Sequence, residues 1–435
     1  MAIYNYEEAF GAGDKTSPAM RKAVKDWFRL YYGESDGDPC QRVAYAVVSK
    51  LVRTVFGEYQ AVAGDSFSQA VLEQLNQKAR QAVELSLVGG ECYIKPCPEK
   101  AGFSFALIPR GNVLIFGREP GGNVTDMGCV ERSTKGRYYY TLLERRTVDE
   151  GGYLTIQNKL YRSLNSQNLG VQVPLDTHPD YAALWEMYRY QEPIGSVGLV
   201  QVKTPILNCV DGSADGVSVY APAVGLIRAI DENEAQLRGE FIRGQSRIIA
   251  SRDMLKDDGS GNMQLEDHLF VGLDEDPEQV GITVFSPQLR HQSYLERKQE
   301  YLRNVESVIG LKRGMLSDAN VEDRTATEIS SSAGDYNLTV MDFQKMWEAA
   351  VRESLLLCGK LARLYQLGQP PETVQVSIDW GNGVLYDEDK TWESYQKMVS
   401  TGLLKPEIAL AWRFNMPAET ESDLQTIRKR YMPNL

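Results

Sequence analysis

TATEISSSAGDYNLTVMDFQKMWEAAVRESLLLCGKLARLYQL, residues 325–367, reads as one uninterrupted amphipathic helix, and its length sets the architecture of the chain. Thr325 and Glu328 have the S/T-x-x-E spacing of a capping box, in which hydroxyl and carboxylate reciprocally satisfy orphan backbone N–H groups. From there apolar residues recur by four and three: Ile329, Ala333, Tyr336, Val340, Phe343, Trp347, Ala350, then Leu357, Leu361 and Leu364. Ser354 is the one break. That period predicts a face buried along the whole helix, with Phe343, Trp347 and Leu357 in its packed seam. A helix of roughly 40 residues spans about 60 Å, several times the typical globular helix. Those are the proportions of a strut in a large assembly.

Upstream, two helices of similar length bracket a small insertion. The first runs from Pro222 to Arg243; the second is opened by Ser286-Pro287 and runs to Ile309, with Leu295, Leu302, Val305, Val308 and Ile309 apolar. The insertion, residues 244–287, holds nine Asp/Glu against three Lys/Arg and contains the run Asp274-Glu275-Asp276-Pro277-Glu278. That run could hold a divalent cation, but a solvated surface loop is the better reading. Between the second helix and the long one lies a polar loop, residues 310–325, carrying Lys312, Arg313, Asp318, Glu322, Asp323 and Arg324.

The N-terminal half divides by period. Ser17-Pro18 places Ser at N-cap and Pro at N1 of a helix that closes at Gly33. Asp38-Pro39 opens a second helix, stopping at Gly57, and a third spans about 68–87. The period then becomes two: ECYIKP, FSFALIP, NVLIFGR, GCVERS, RYYYTLLERRTV and YLTIQNKLYRS read as a meander of strands ending near Val202. Residues 211–220 read as a polar Gly/Ser/Asp linker. After the long helix, TVQVSIDW (Thr373–Trp380) is a strand, and Lys390 to Arg430 a small helical tail.

Composition narrows the function. At 435 residues, 24% charged and 43% hydrophobic, the chain is an ordinary globular one with room for several domains. No apolar run reaches the about 18 residues of a membrane span, and the acidic N-terminus lacks the apolar core of a secretory signal. The six scattered cysteines fit reduced thiols better than a disulfide framework. A net charge of −12 without a basic stripe disfavours ordinary tight nucleic-acid binding. His178, His268 and His291 stand apart from other metal-ligand types, so no metal or cofactor site is expected. No G-x-x-x-x-G-K-[ST] loop or G-x-S-x-G elbow occurs, and no catalytic residue is assigned.

Element order carries a resemblance. Tyr45–Glu58, Glu84–Pro96, Ser218–Gln236, Lys298–Leu316 and Thr325–Ile329 together resemble portal proteins of tailed bacteriophages, of the long non-contractile-tail type, over nearly the full length. Two departures stand out: Arg313-Gly314-Met315 where the family often has a proline, and a short C-terminal tail. The resemblance implies an α+β, portal-like fold: a mixed wing (1–215), a two-helix stem (216–243 and 288–309), a small α/β clip (244–287), a tunnel loop (310–325), a rod helix with a wing strand (326–386) and a short helical crown (387–435). It also implies a ring, usually of twelve subunits, at one capsid vertex of a virion assembled in the bacterial cytoplasm. Double-stranded DNA would pass through without sequence readout, and the non-enzymatic ring would contact major capsid and scaffolding proteins. Its clip, through Asp274, Glu275, Asp276 and Glu278, would dock terminase and then a head–tail adaptor. The rival readings are another ring-forming head completion or adaptor protein, whose usual size is much smaller, and an uncharacterised soluble enzyme.

Overall fold

A computed structural model describes residues 6–34, 39–99, 102–244, 247–250, 255–257, 263–265, 282–285, 288–318, 326–381, 388–414, 418 and 421–432. The fold is mixed α+β. Its N-terminal body begins with α1 (Tyr6–Phe10), α2 (Pro18–Tyr32), α3 (Val43–Val55), β1 (Gln60–Ala63) and α4 (Ser66–Gly89). Ser17 caps α2 by accepting from Met20 N–H at 3.1 Å, and Gly33 closes it in the left-handed region. Here a cap residue, a proline and a glycine define a helix to the residue. Helix α3 begins at Val43, later than Asp38-Pro39 suggested. Arg42, at φ 56°, turns the chain immediately before it.

Six strand segments were expected to form one continuous meander; the structure divides them between two sheets. Strands β2 (Glu91–Glu99) and β3 (Gly102–Pro109) form a hairpin, and β10 (Val200–Lys203) returns to pair with β2 in the order β10-β2-β3. Strands β4 (Val113–Arg118), β5 (Val124–Lys135), β6 (Tyr138–Val148), β7 (Leu154–Ser163), β8 (Val171–Val173) and β9 (Met187–Arg189) form the larger antiparallel sheet, where β8 and β9 both pair with β7. The break falls at the short turn Arg110–Asn112, where Arg110 is buried and redirects the chain.

Helix α5 (Val224–Arg243) leads to four short strands, β11 (Arg247–Ala250), β12 (Leu255–Asp257), β13 (Met263–Leu265) and β14 (Ile282–Phe285), paired antiparallel as β11–β14 and β12–β13. Helix α6 (His291–Ile309) returns alongside α5. It starts at His291 rather than at Ser286-Pro287, which lie outside the described residues. Then comes α7 (Ala326–Tyr365), 40 residues long. Strand β15 (Val376–Asp379) pairs with β1, tying the chain behind α7 back to the N-terminal body. Helices α8 (Glu388–Ser400), α9 (Pro406–Arg413) and α10 (Glu421–Tyr431) close the chain.

One continuous core joins α2, α3, α4, the smaller sheet, α5, α6 and α7. Phe343 is 1% exposed, Trp347 0% and Leu357 6%, so all three lie inside a single chain. Ser354, the break in the apolar series, is also fully buried, and its Oγ makes no hydrogen bond among the described residues. Leu295 and Val308 of α6 are exposed, whereas Leu302, Val305 and Ile309 are buried.

Residues 211–220 are a solvated linker only over 211–214, which are exposed; residues 215–220 are buried. Val217, Ser218, Val219 and Tyr220 are buried, and Tyr220 OH donates to Trp27 O at 2.8 Å. The strap crosses the end of α4 so closely that a Cβ on Gly90, which sits at φ +83°, would lie 2.3 Å from Gly216 O. Only a glycine serves at such a crossing. Beneath it sits a buried ionic cluster. Glu91 accepts from Gly216 N–H and from Tyr93 OH, and lies 3.9 Å from both Arg110 and Arg118. Arg118 also pairs with Asp215, while Arg110 donates to Thr16 Oγ1 at 2.8 Å. Composition favoured a linker because Gly, Ser and Asp are common in loops; the partners of these side chains lie far away in sequence.

Candidate functional site

Helices α5 and α6 are held as a pair by polar contacts near the insertion and at mid-length. Near the insertion, Glu240 binds Arg290 through both carboxylate oxygens, at 3.1 and 2.9 Å, and accepts its backbone N–H at 3.0 Å. The Arg290 guanidinium and N–H hold the Glu240 carboxyl down to about 2. Further along, Lys298 bridges Glu234 at 3.2 Å and Gln41 at 2.8 Å, and Asn233 donates to Tyr294 O. An open polar groove of about 640 Å³ lies between the helices, lined by Glu232, Asn233, Gln236, Arg290, Tyr294 and Arg297 among others. Ile227, Ile230, Leu302, Val305 and Ile309 close the other end of the pair in the core. So the helices are anchored in the core at the body and bridged by ion pairs beside an open polar groove toward the insertion.

The loop after α6 is fixed at its base. Gly310 ends the helix in the left-handed region, packed so near Thr339 of α7 that a Cβ would sit 2.7 Å from its hydroxyl. Met315 N–H donates to Lys312 O at 3.1 Å, closing a turn that leaves Lys312 and Arg313 exposed. Glu306, 1% exposed, lies under this turn and accepts from Gly314, Leu316 and Ser317 N–H and from the Ser317 hydroxyl. Lys50 of α3 donates to Met315 O, and Gln299 accepts from Asp318 N–H at 2.8 Å. Sequence reading did not single out Glu306. Its signal was present: a carboxylate in the buried stripe Leu302, Val305, Glu306, Ile309, immediately before a glycine-containing loop.

Of the other loop residues singled out by sequence, Asp318 is exposed. Glu322, Asp323, Arg324 and Thr325 lie outside the described residues, as do Asp274, Glu275, Asp276, Glu278 and His268; Glu328 belongs to α7, but its side chain is outside the description. The structure thus brings Lys312, Arg313 and Asp318 together on one short segment. Phe343, Trp347 and Leu357 are packed away from it, in the core.

His178 is buried against Tyr140, and its Nδ1 accepts from Asp180 N–H. All six cysteines are free thiols, and burial pushes Cys92 and Cys129 up to about 12, which keeps them protonated and unreactive. Among the described residues no group of three or more His, Cys, Asp or Glu is placed to hold a metal ion. No helix among them is long and apolar enough to cross a membrane.

A paired-helix arm, a loop tied to its base by a buried carboxylate and a 40-residue helix define a class of mixed α+β chain. Within that class the family is specific. Residues 130–430 match the family described as phage portal protein, SPP1 Gp6-like, and the chain belongs to it. Comparison with curated proteins finds no match.

Proposed function

We propose that copies of this chain close into a ring at one vertex of a phage capsid and form the conduit through which double-stranded DNA is packaged and ejected. In this reading α5 and α6 are the stem lining the channel, residues 244–287 are the clip that docks the packaging motor and later an adaptor, and the turn at 312–315 faces the bore. The observation that supports it most is the pairing of α5 with α6 around an insertion, followed by a fixed loop and α7, in a chain of the portal family. Twelve subunits is the expected count.

The electrostatics suit a conduit. Duplex DNA carries about one charge per 1.7 Å of axis. A channel that bound it tightly would stall it; a ring of subunits at −12 each repels it and keeps it centred. Salt limits that repulsion to about 8–10 Å, so it acts only near the wall. Against this background Lys312 and Arg313 would supply point contacts to phosphate without base readout.

Charge reversal tests this. Phage carrying Lys312→Glu and Arg313→Glu together are expected to retain less packaged DNA, or to package less, with the defect deepening as salt is lowered. Packaging and retention equal to the parent's at every salt concentration would remove these residues from the mechanism.

A further inference from the structure

We propose that Glu306 is a positioning residue: its buried carboxylate clamps the first half of the loop so that Lys312 and Arg313 meet the duplex from a fixed turn. The inference rests on the conduit reading for its consequence, but not for its geometry. Both carboxylate oxygens are used. Gly314 N–H lies 3.1 and 3.2 Å from the two of them, Ser317 N–H is 2.9 Å from Oε1, and the Ser317 hydroxyl is 2.8 Å from Oε2; Leu316 N–H also donates to Oε1. Three consecutive-region amides converging on one anionic group form a cradle of the kind that backbone N–H groups make for a bound anion. Here the anion is part of the chain.

Glu306 stands on the last turn of α6, one residue after the fully buried Val305 and three before Ile309. Its backbone is therefore fixed with the helix, and burial and the hydrogen bonds it accepts hold the carboxylate in place. Leu311 adds a fourth tie, burying its side chain while its N–H bonds Glu306 O at 2.8 Å. On the far side, Lys50 of α3 and Gln299 of α6 hold Met315 O and Asp318 N–H. The segment 311–318 is thus fastened on both flanks, and Lys312 and Arg313 occupy its exposed corner. Two long cationic side chains on a loose loop would each lose conformational freedom on every contact with phosphate. On a preorganised turn the backbone share of that cost is already met.

The test has two arms. The first is hydrogen exchange of the full-length protein, read on peptides covering 311–318. Glu306→Ala is expected to speed exchange at Gly314, Leu316 and Ser317 by about ten- to a hundred-fold, because hydrogen bonds to a charged acceptor are lost. Exchange in α6 before Leu302 should stay as in the parent. Unchanged rates at the three amides would overturn the clamp whether or not the chain forms a conduit. Glu306→Gln, which keeps one carbonyl acceptor, should fall between the two, and it carries both arms if the alanine variant does not assemble.

The second arm is DNA retention in packaged heads. Glu306→Ala should shift retention in the same direction as Lys312→Ala with Arg313→Ala, and the triple variant should do no more than the double. An additive defect in the triple would show Glu306 acting elsewhere and overturn the assignment. So would a double variant that retains DNA like the parent. A chain that never forms rings would instead fail the conduit reading, with the exchange arm still judging the clamp.

Discussion

Truncating Trp347 to alanine is expected to remove about 3–5 kcal/mol of unfolding free energy, the largest single loss from the apolar core. The side chain is completely buried at the middle of α7. Its ring meets Phe56 edge-on at 5.9 Å, and its Nε1 donates to Tyr59 OH at 3.3 Å, which in turn bonds Asn76. Tyr59 also packs on Trp380, just beyond β15. Removing the indole therefore opens a cavity where α3, α4, α7 and the β1–β15 pair converge. The check is a denaturant titration of Trp347→Ala beside Trp185→Ala, whose parent side chain is 72% exposed and which should change stability by less than about 0.5 kcal/mol. A loss below about 1 kcal/mol at position 347 would show that the α7 seam does not carry the core.

The second large effect lies under the strap. Glu91→Ala is expected to cost about 3–5 kcal/mol, because it removes the fully buried carboxylate that Arg110 and Arg118 share and leaves Asp215 as their near counter-charge, with Asp14 acting on Arg110. Arg110 Nε already has no hydrogen-bond partner among the described residues, so the cluster has little slack. Burial alone would raise the Glu91 pKa; Arg110, the Gly216 N–H, Arg118 and Tyr93 outweigh it and hold the carboxyl below its ordinary 4.5. The sign follows by linkage. A depressed folded pKa gives stability that is complete above about pH 4.5 and fades as pH falls through the folded value. Glu144, lowered to about 2 against its own burial by Arg146 and Lys95, adds a contribution of the same sign. Glu91→Gln should accordingly flatten the acid limb of the stability curve without abolishing it. An acid limb identical to the parent's would contradict the ionised assignment.

Where sequence and structure agree, the determinants are local. Ser17, Pro18 and Gly33 bound α2 because cap, proline and left-handed glycine act within one turn. The stripe from Tyr336 to Leu361 identified the long helix because one helical period sustained over most of its 40 residues fits no strand. Strands β2 to β7 were legible as alternation, whereas the short β8 and β9 were not. The division into two sheets was not legible either, since it depends on Arg110 finding Thr16, Glu91 and Asp215 across the fold. The buried part of the strap, residues 215–220, was misread for the same reason. At the candidate site, Lys312, Arg313 and Asp318 could be named from their place in a charged loop. Glu306 was passed over: its place in the apolar stripe before a glycine-containing loop was a signal, but a single acid in a helix looks ordinary until the amides it receives are in place.

The proposed function requires that many copies close around a bore. Electron cryomicroscopy of the purified full-length protein tests it most directly. The account predicts closed rings with an open axial hole, α5 and α6 on the inner wall and the Lys312–Arg313 turn projecting inward. Solitary particles without a hole at every concentration, or rings whose inner wall is built by β8 and β9 with α5 and α6 outside, would contradict it.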